Sequence, residues 1–208
     1  MMGMADSSWT VANAPLKHLL LGGQKSGKSR QSELLARQWL QASSAHSASL
    51  LATGTAYDVE MRERIARHQS DRAVRVPGMA TVEEPLDLAG AVHQYSTPHT
   101  LLVVDCLTLW LTNWSMPAED RPEKFKPNQP PGHGWTAQAA LFLKAIEGAL
   151  GPVVLVGNEI GLGVIPMGRE VRAFVDALGV LNQEVAQVCE RVTLMAAGLP
   201  LTLKGNPR

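Results

Sequence analysis

The sequence predicts an α/β fold: a mostly parallel sheet with helices on both faces. Three observations carry this. Short apolar runs at Lys17–Leu21, Leu50–Thr53, Leu101–Val104 and Val153–Val156 read as strands, the last two as buried ones. Segments of helical period lie between them. A glycine-rich turn, Gly22–Ser29, joins the first of these strands to the first helix.

Residues 1–15 are polar and without period, a loose leader. The strand Lys17–Leu21 leads into the glycine turn, and a helix then runs to about Gln41. Ser43–Ser49 is small and polar and reads as a loop, followed by the strand Leu50–Thr53. Tyr57, Met61, Ile65 and His68 fall at helical spacing, which predicts a helix over Ala56–Gln69. Pro77-Gly78 marks a turn within Arg72–Ala80. Pro85–Gln94 reads as a helix with Pro85 near its first turn. Trp114–Gly134 holds five prolines, scattered charge and little hydrophobicity, and reads as a mobile surface loop. Ala137–Leu150 reads as a helix. Val171, Phe174, Leu178, Leu181, Val185 and Val188 make a long apolar helical stripe, and Arg191–Met195 and Leu199–Leu203 read as closing strands. No internal repeat is visible, and 208 residues suit one domain with a sizeable core.

Composition narrows the function classes. Lys+Arg and Asp+Glu balance at 19 each, so no basic excess points to nucleic acid or an anionic membrane surface. Two cysteines, Cys106 and Cys189, make no disulfide framework and no CxxC pair, which favours a reducing compartment. The longest apolar run, Leu101–Leu111, is interrupted by Asp105 and is too short to span a bilayer. The N-terminus lacks a basic segment followed by an apolar stretch and a cleavage site. A soluble, cytoplasmic protein is expected.

Gly22-Gly23-Gln24-Lys25-Ser26-Gly27-Lys28-Ser29 matches GxxxxGK[ST] in full. In this phosphate loop the glycines let successive N–H groups aim at phosphate oxygens. The following helix adds its positive N-terminus. Lys28 reaches the β and γ phosphates, and Ser29 ligates Mg²⁺. The reading is therefore a magnesium–nucleoside triphosphate site. Asp105, at the carboxyl end of a buried strand, is either the Walker B acid that steadies the magnesium shell or a cap for the next helix.

His68 falls near the apolar face of its helix, where a histidine is either a buried, hydrogen-bonded core residue or a functional one. Arg62, Arg64, Arg67 and Arg72 flank it, as a solvated face or as phosphate holders. Asn158–Pro166 is a second glycine-rich strand exit. Ligands of open α/β sheets sit outside the carboxyl ends of strands, so Asn158 and Glu159 point to the same crevice as Gly22–Ser29, unless the segment is only a tight turn.

The segments GGQKSGKSR, LATGTAYDVEMRERIARHQSDR, TVEEPLDL, LLVVDCLTLWLTN, NEIGLGVIP and LNQEVA occur in that order between about Leu19 and Lys204. Together they resemble the bifunctional adenosylcobinamide kinase/adenosylcobinamide-phosphate guanylyltransferase family of cobalamin biosynthesis. The resemblance implies a RecA-like, three-layer P-loop NTPase fold assembled as a homotrimer. It implies phosphorylation of the aminopropanol hydroxyl of adenosylcobinamide with ATP or GTP. It also implies transfer of GMP from GTP to that phosphate through a guanylylated histidine. The histidine of the family's RIxxH pattern falls on His68. Its nucleotide contacts fall on Gly22–Ser29, Thr53, Gly54, Thr55, Gln69, Ser70, Asp71, Arg72, Glu83 and Asp105, with Ser29 and Asp105 toward Mg²⁺ and Lys28 and His68 as catalytic residues. An imidazole is a competent nucleophile near pH 7, and its phosphoramidate is labile enough to pass GMP onward. The chain departs from the family pattern in three places. Arg72–Thr81 is a few residues longer and lacks a tryptophan. Val175 and Val180 stand where the family's RDxxGRxNQ pattern has arginines. The loop at Trp114–Gly134 is long.

Overall fold

The structure is a computed structural model that describes residues 10–11, 14–56, 58–115 and 131–205. In chain order the elements begin with β1 (Thr10–Val11), β2 (Ala14–Pro15), β3 (Lys17–Gly22), α1 (Lys28–Ala42), β4 (Ser47–Ala52), α2 (Val59–Arg75) and β5 (Ala80–Glu83). They continue with α3 (Leu88–Tyr95), β6 (Thr100–Asp105), α4 (Leu107–Ser115) and α5 (Pro131–Glu147). The last are β7 (Val153–Val156), α6 (Arg169–Val188), β8 (Arg191–Ala196) and β9 (Leu199–Lys204).

Seven strands form one sheet in the order β5-β4-β6-β7-β3-β8-β9, parallel except where β9 pairs antiparallel with β8. One strand, β7, lies between the strand of the glycine loop and the strand of Asp105. The central strands are apolar throughout because both faces are covered. Alternation sends Leu19 and Leu21 to one core and Leu20 to the other. The larger core lies under α3, α4, α5 and α6, where Trp110, Phe142 and Ile146 are fully buried. The smaller lies under α1, around Leu35, Ala36 and Trp39. The three-layer α/β fold read from the sequence is therefore the fold observed.

Several boundaries differ. The strand expected at Leu50–Thr53 begins at Ser47, inside the segment read as loop, and ends at Ala52. There Ser47 bonds across to β6, Oγ to Thr100 Oγ1 at 2.9 Å, so its polarity is spent between paired strands and is no loop signal. The helix expected over Ala56–Gln69 spans Val59–Arg75 instead. Asp58 caps it by accepting from the Met61 amide at 2.6 Å, and Arg75 extends it by pairing with Glu33 and Asp71, both at 2.9 Å. The helix expected from Pro85 starts at Leu88, because Asp87 is its cap and Glu84 holds the preceding turn through the Leu86 and Asp87 amides. Four elements were not expected: the short edge strand β5, α4 directly after Asp105, and β1 and β2 within the segment read as a loose leader. Helix α5 begins at Pro131, so residues 131–134 of the expected loop are helical, with proline in the first turn. Residues 116–130 of that loop and most of the leader lie outside the described residues. Within the leader, β1 and β2 pair antiparallel.

Phe142 is completely buried and meets the Trp110 ring at 4.8 Å between centroids. We expect Phe142→Ala to lower stability by about 3–5 kcal/mol, read as a shift in the urea unfolding midpoint.

Candidate phosphate and acceptor site

The glycine loop leaves β3 with Gly22 at φ 149° and enters α1 with Gly27 at φ 103°. A Cβ on Gly22 would stand 2.4 Å from the Met195 carbonyl oxygen, so only glycine fits between β3 and β8 here. The Gly198 amide, in the turn between β8 and β9, donates to the Ser26 carbonyl at 3.0 Å and braces the loop from the other side. Glycine and hairpin together curl the loop over the N-terminus of α1.

Lys28 is buried at the first position of α1, and its ammonium donates to the carbonyls of Gly22 at 2.9 Å and Gly23 at 2.7 Å. Burial pushes its pKa down, and the charge of Asp105 partly offsets this by pulling it up. Lysine and carboxylate thus face one crevice although 77 residues apart in sequence (105 − 28). Ser29 is half-buried in the first turn of α1, and Asp105 is half-buried at the end of β6. These are two oxygen donors of the kind magnesium takes together with phosphate oxygens and water. The capping alternative for Asp105 has no support, since no capping bond from its side chain to α4 is found among the described residues.

Thr53 is 0% exposed, and its hydroxyl donates to the Cys106 carbonyl at 2.7 Å and accepts from the Cys106 amide at 2.8 Å. The Asn113 amide holds the Thr53 carbonyl at 2.8 Å. Thr53 therefore acts on the site from behind, by fixing the residue next to Asp105. The Cys106 thiol, pushed up to about 12 chiefly by burial and then by Asp105, stays protonated and plays no nucleophilic part. Gly54 and Thr55 are half-buried and continue along the edge, Gly54 lying under Ile65 of α2 and Leu109 of α4.

Register sets the remaining distances. Ala52 pairs with Asp105 and with Glu83, so Thr53–Thr55 and Glu83 share the carboxyl edge with the glycine loop. They lie toward the far side: β4 is three strand spacings from β3, about 14 Å. Glu83 is exposed at the end of β5. Gln69, Ser70 and Asp71 are exposed on α2, while Arg72 is half-buried and donates to Thr81 Oγ1 at 3.1 Å.

His68 corrects one expectation. It is exposed, and no described side chain of α2 is buried, so it is not a core histidine on an apolar face. Met61 and Ile65 are only half-buried because α2 lies on the outside of the molecule, tied at its far end by Arg75. His68 is the tenth residue of α2, about 14 Å along the helix from its start. The structure thus brings Gly22–Ser29 and Asp105 together, and it places His68 on the exposed side of α2 rather than in the core.

Sequence reasoning missed Met195, Gly198, Thr108 and Asn113. The turn at Gly198 was legible, but its landing against Ser26 is a tertiary contact with no local signal. A cavity of about 460 Å³ opens between the exit of β7 and α6, lined by Ile160, Val164, Ile165, Arg172, Val175 and Val180 among others. Both valines that replace the family's arginines thus face it.

A family model described as cobinamide kinase / cobinamide phosphate guanyltransferase matches residues 18–203. The chain belongs to this family. It is 42% identical over 192 residues to the bifunctional adenosylcobalamin biosynthesis protein CobP of Pseudomonas aeruginosa, covering 92% of this chain and 99% of that one. It is 29% identical over 188 residues to the bifunctional adenosylcobalamin biosynthesis protein CobU of Escherichia coli, covering 89% and 98%. Among solved structures it is similar to the flagellar accessory protein FlaH of Methanocaldococcus jannaschii, at 13% identity and a TM-score of 0.49, covering 99% of this chain and 86% of that one.

Gly22 and Gly23 separate conformation from space. A Cβ on Gly23 meets nothing within 4 Å. We expect Gly22→Ala to cost about 2 kcal/mol or more and to abolish GTP binding, with Gly23→Ala far milder in stability. Thermal denaturation beside a fluorescent GTP-analogue titration checks this.

Proposed function

We propose that this protein phosphorylates the aminopropanol hydroxyl of adenosylcobinamide with ATP or GTP, and then transfers GMP from GTP to the new phosphate. The observation that carries the reading is the formed cradle at Gly22–Ser29 with Lys28 and Asp105 facing one crevice, in a chain of this family.

In the first reaction the acceptor hydroxyl attacks the γ-phosphorus and a nucleoside diphosphate departs. The loop amides and Lys28 stabilise the charge that develops. Ser29 and Asp105 would hold Mg²⁺, which when bound supplies positive charge to the β and γ oxygens. In the second reaction a ring nitrogen of His68 attacks the α-phosphorus of GTP, the bond to the β-phosphate breaks, and pyrophosphate leaves. The acceptor's phosphate oxygen then attacks the same phosphorus, the N–P bond breaks, and adenosylcobinamide-GDP is released with His68 restored.

The exposure of His68 supports this role, since a nucleophile must be reachable by substrate. Gln24, Lys25 and Ser26 within the loop, together with Thr55, Gln69–Arg72 and Glu83, are the further nucleotide contacts of the reading. The cavity beside α6 supports an acceptor site on the same edge. Among the described residues no helix is long and apolar enough to cross a membrane, which accords with a cytoplasmic location.

GTP labelled in the α-phosphate tests the second reaction. Acid-labile covalent label is expected on the parent protein and none on His68→Ala; label persisting in that variant overturns the nucleophile assignment. Lys28→Ala is expected to lose both activities by at least about a hundredfold. The homotrimer, which rests on the family resemblance, predicts sedimentation at about three times the 22.4 kDa chain.

A further inference from the structure

Two side chains, Asn158 and Asn182, have no task in the chemistry above. In the fold they meet. Asn182 Nδ2 donates to the Asn158 carbonyl at 3.0 Å. Asn182 is 4% exposed and sits on α6 among the core residues Leu178, Leu181 and Val185. Its Oδ1 is buried without a hydrogen-bond partner. A buried amide with half its capacity unspent costs stability, which its bond to Asn158 offsets only in part.

What it secures is the backbone at the exit of β7. The Gly157 amide donates to the Leu20 carbonyl at 2.9 Å, the Asn158 amide to Thr108 Oγ1 at 3.0 Å, and the Glu159 amide to the Gly22 carbonyl at 3.0 Å. With the Asn182 bond, residues 157–159 are tied to β3, α4, α6 and the glycine loop itself. The Gly22 carbonyl is also one of the two that hold the Lys28 ammonium. The Asn158 side chain is half-buried and makes no hydrogen bond among the described residues. A rigid backbone therefore presents an unspent carboxamide.

Its place is set by register. Val156 of β7 pairs with Leu20 on one side and Asp105 on the other. Asn158 follows two residues later, about one strand spacing, roughly 5 Å, from each neighbouring strand exit. Since β7 lies between β3 and β6, a triphosphate held by Lys28 and faced by Asp105 would bring its terminal phosphate beside the exit of β7.

We propose that Asn158 is a catalytic residue of the phosphoryl transfer, donating from Nδ2 to the terminal phosphate, and that Asn182 is the positioning residue that holds it there. This rests on the reading of Gly22–Ser29 and Asp105 as the triphosphate site. In the step, the acceptor oxygen bonds to the γ-phosphorus and the bridging bond to the β-phosphate breaks. The electron pair leaves on the nucleoside diphosphate, and the hydroxyl proton passes to water. The carboxamide gains and loses no proton. It donates to a γ oxygen and strengthens that bond as charge moves in the transition state.

Steady-state kinase assays with ATP and adenosylcobinamide test this on Asn158→Asp, Asn182→Leu and the double variant. Asn158 is part-exposed, so Asn158→Asp is expected to fold. It should lower kcat about a hundredfold, with the KM for ATP within about threefold of the parent. Asn182→Leu leaves the Asn158 carbonyl without its donor; it should still unfold cooperatively and lower kcat about tenfold. Because Asn182 acts through Asn158, the double variant should be no slower than Asn158→Asp alone. Parental kcat in Asn158→Asp, a change confined to KM, or losses that multiply in the double variant would each overturn the proposal. A parent protein without kinase activity would overturn the reading of the loop and this inference with it. Label from α-labelled GTP on the parent's His68 reports separately on the guanylyl reaction.

Discussion

The site depends on parallel pairing that ends in line. Leu20 pairs with Val156, Val156 with Asp105, Asp105 with Ala52, and Ala52 with Glu83, so five strands deliver their last residues to one edge. A slip of one residue in any of them would turn its side chains to the opposite face. Both faces are core here, which makes such a slip costly twice over. The burial that stabilises the sheet therefore also sets the spacing of Lys28, Asp105 and Asn158. The residues that do chemistry contribute little to holding that alignment.

Much of this was legible. β3, β6 and β7 are continuous apolar runs, and the stripe from Val171 to Val188 matches α6 closely. The glycine loop was legible because each of its residues answers a local need of backbone or charge. What stayed hidden has physical reasons. The strand β5 has four residues, three of them exposed, and lies at the sheet edge, so no buried pattern marks it. The helix α4 follows β6 in one apolar run from Leu101 to Leu111, where a change of period from two to three or four is masked because nearly every position is apolar. The helix α2 runs past Gln69 on charge pairing of Arg75 with Asp71 of its own last turns and with Glu33 of α1, the second a tertiary contact without local signal. Spacing placed His68 near Met61 and Ile65, but a shared stripe says nothing of how deeply that stripe is buried.

The candidate residues fall into two groups along the edge. Gly22–Ser29, Asp105 and Asn158 gather around β3, β7 and β6. Thr53–Thr55 and Glu83 gather around β4 and β5, while α2 packs on α1, to which Arg75 ties it through Glu33. Thr53 joins the groups, because its hydroxyl and carbonyl fasten β4 to the residue after Asp105 and to α4. Resemblance assigns both groups to one nucleotide chemistry. Only the fold reveals that they are separated by about 14 Å of sheet.

The Lys28 ammonium has a consequence for how the cradle meets its ligand. Its two carbonyl bonds keep the loop curled by means internal to the chain, so ordering of the loop is completed at folding. Yet the ammonium sits buried with a depressed pKa, an electrostatic frustration that two neutral carbonyls relieve only in part. An arriving polyphosphate offers the full countercharge that the fold withholds. The cradle is thus tensioned by charge rather than by geometry, and a phosphate group entering it would return to Lys28 the countercharge that burial takes away.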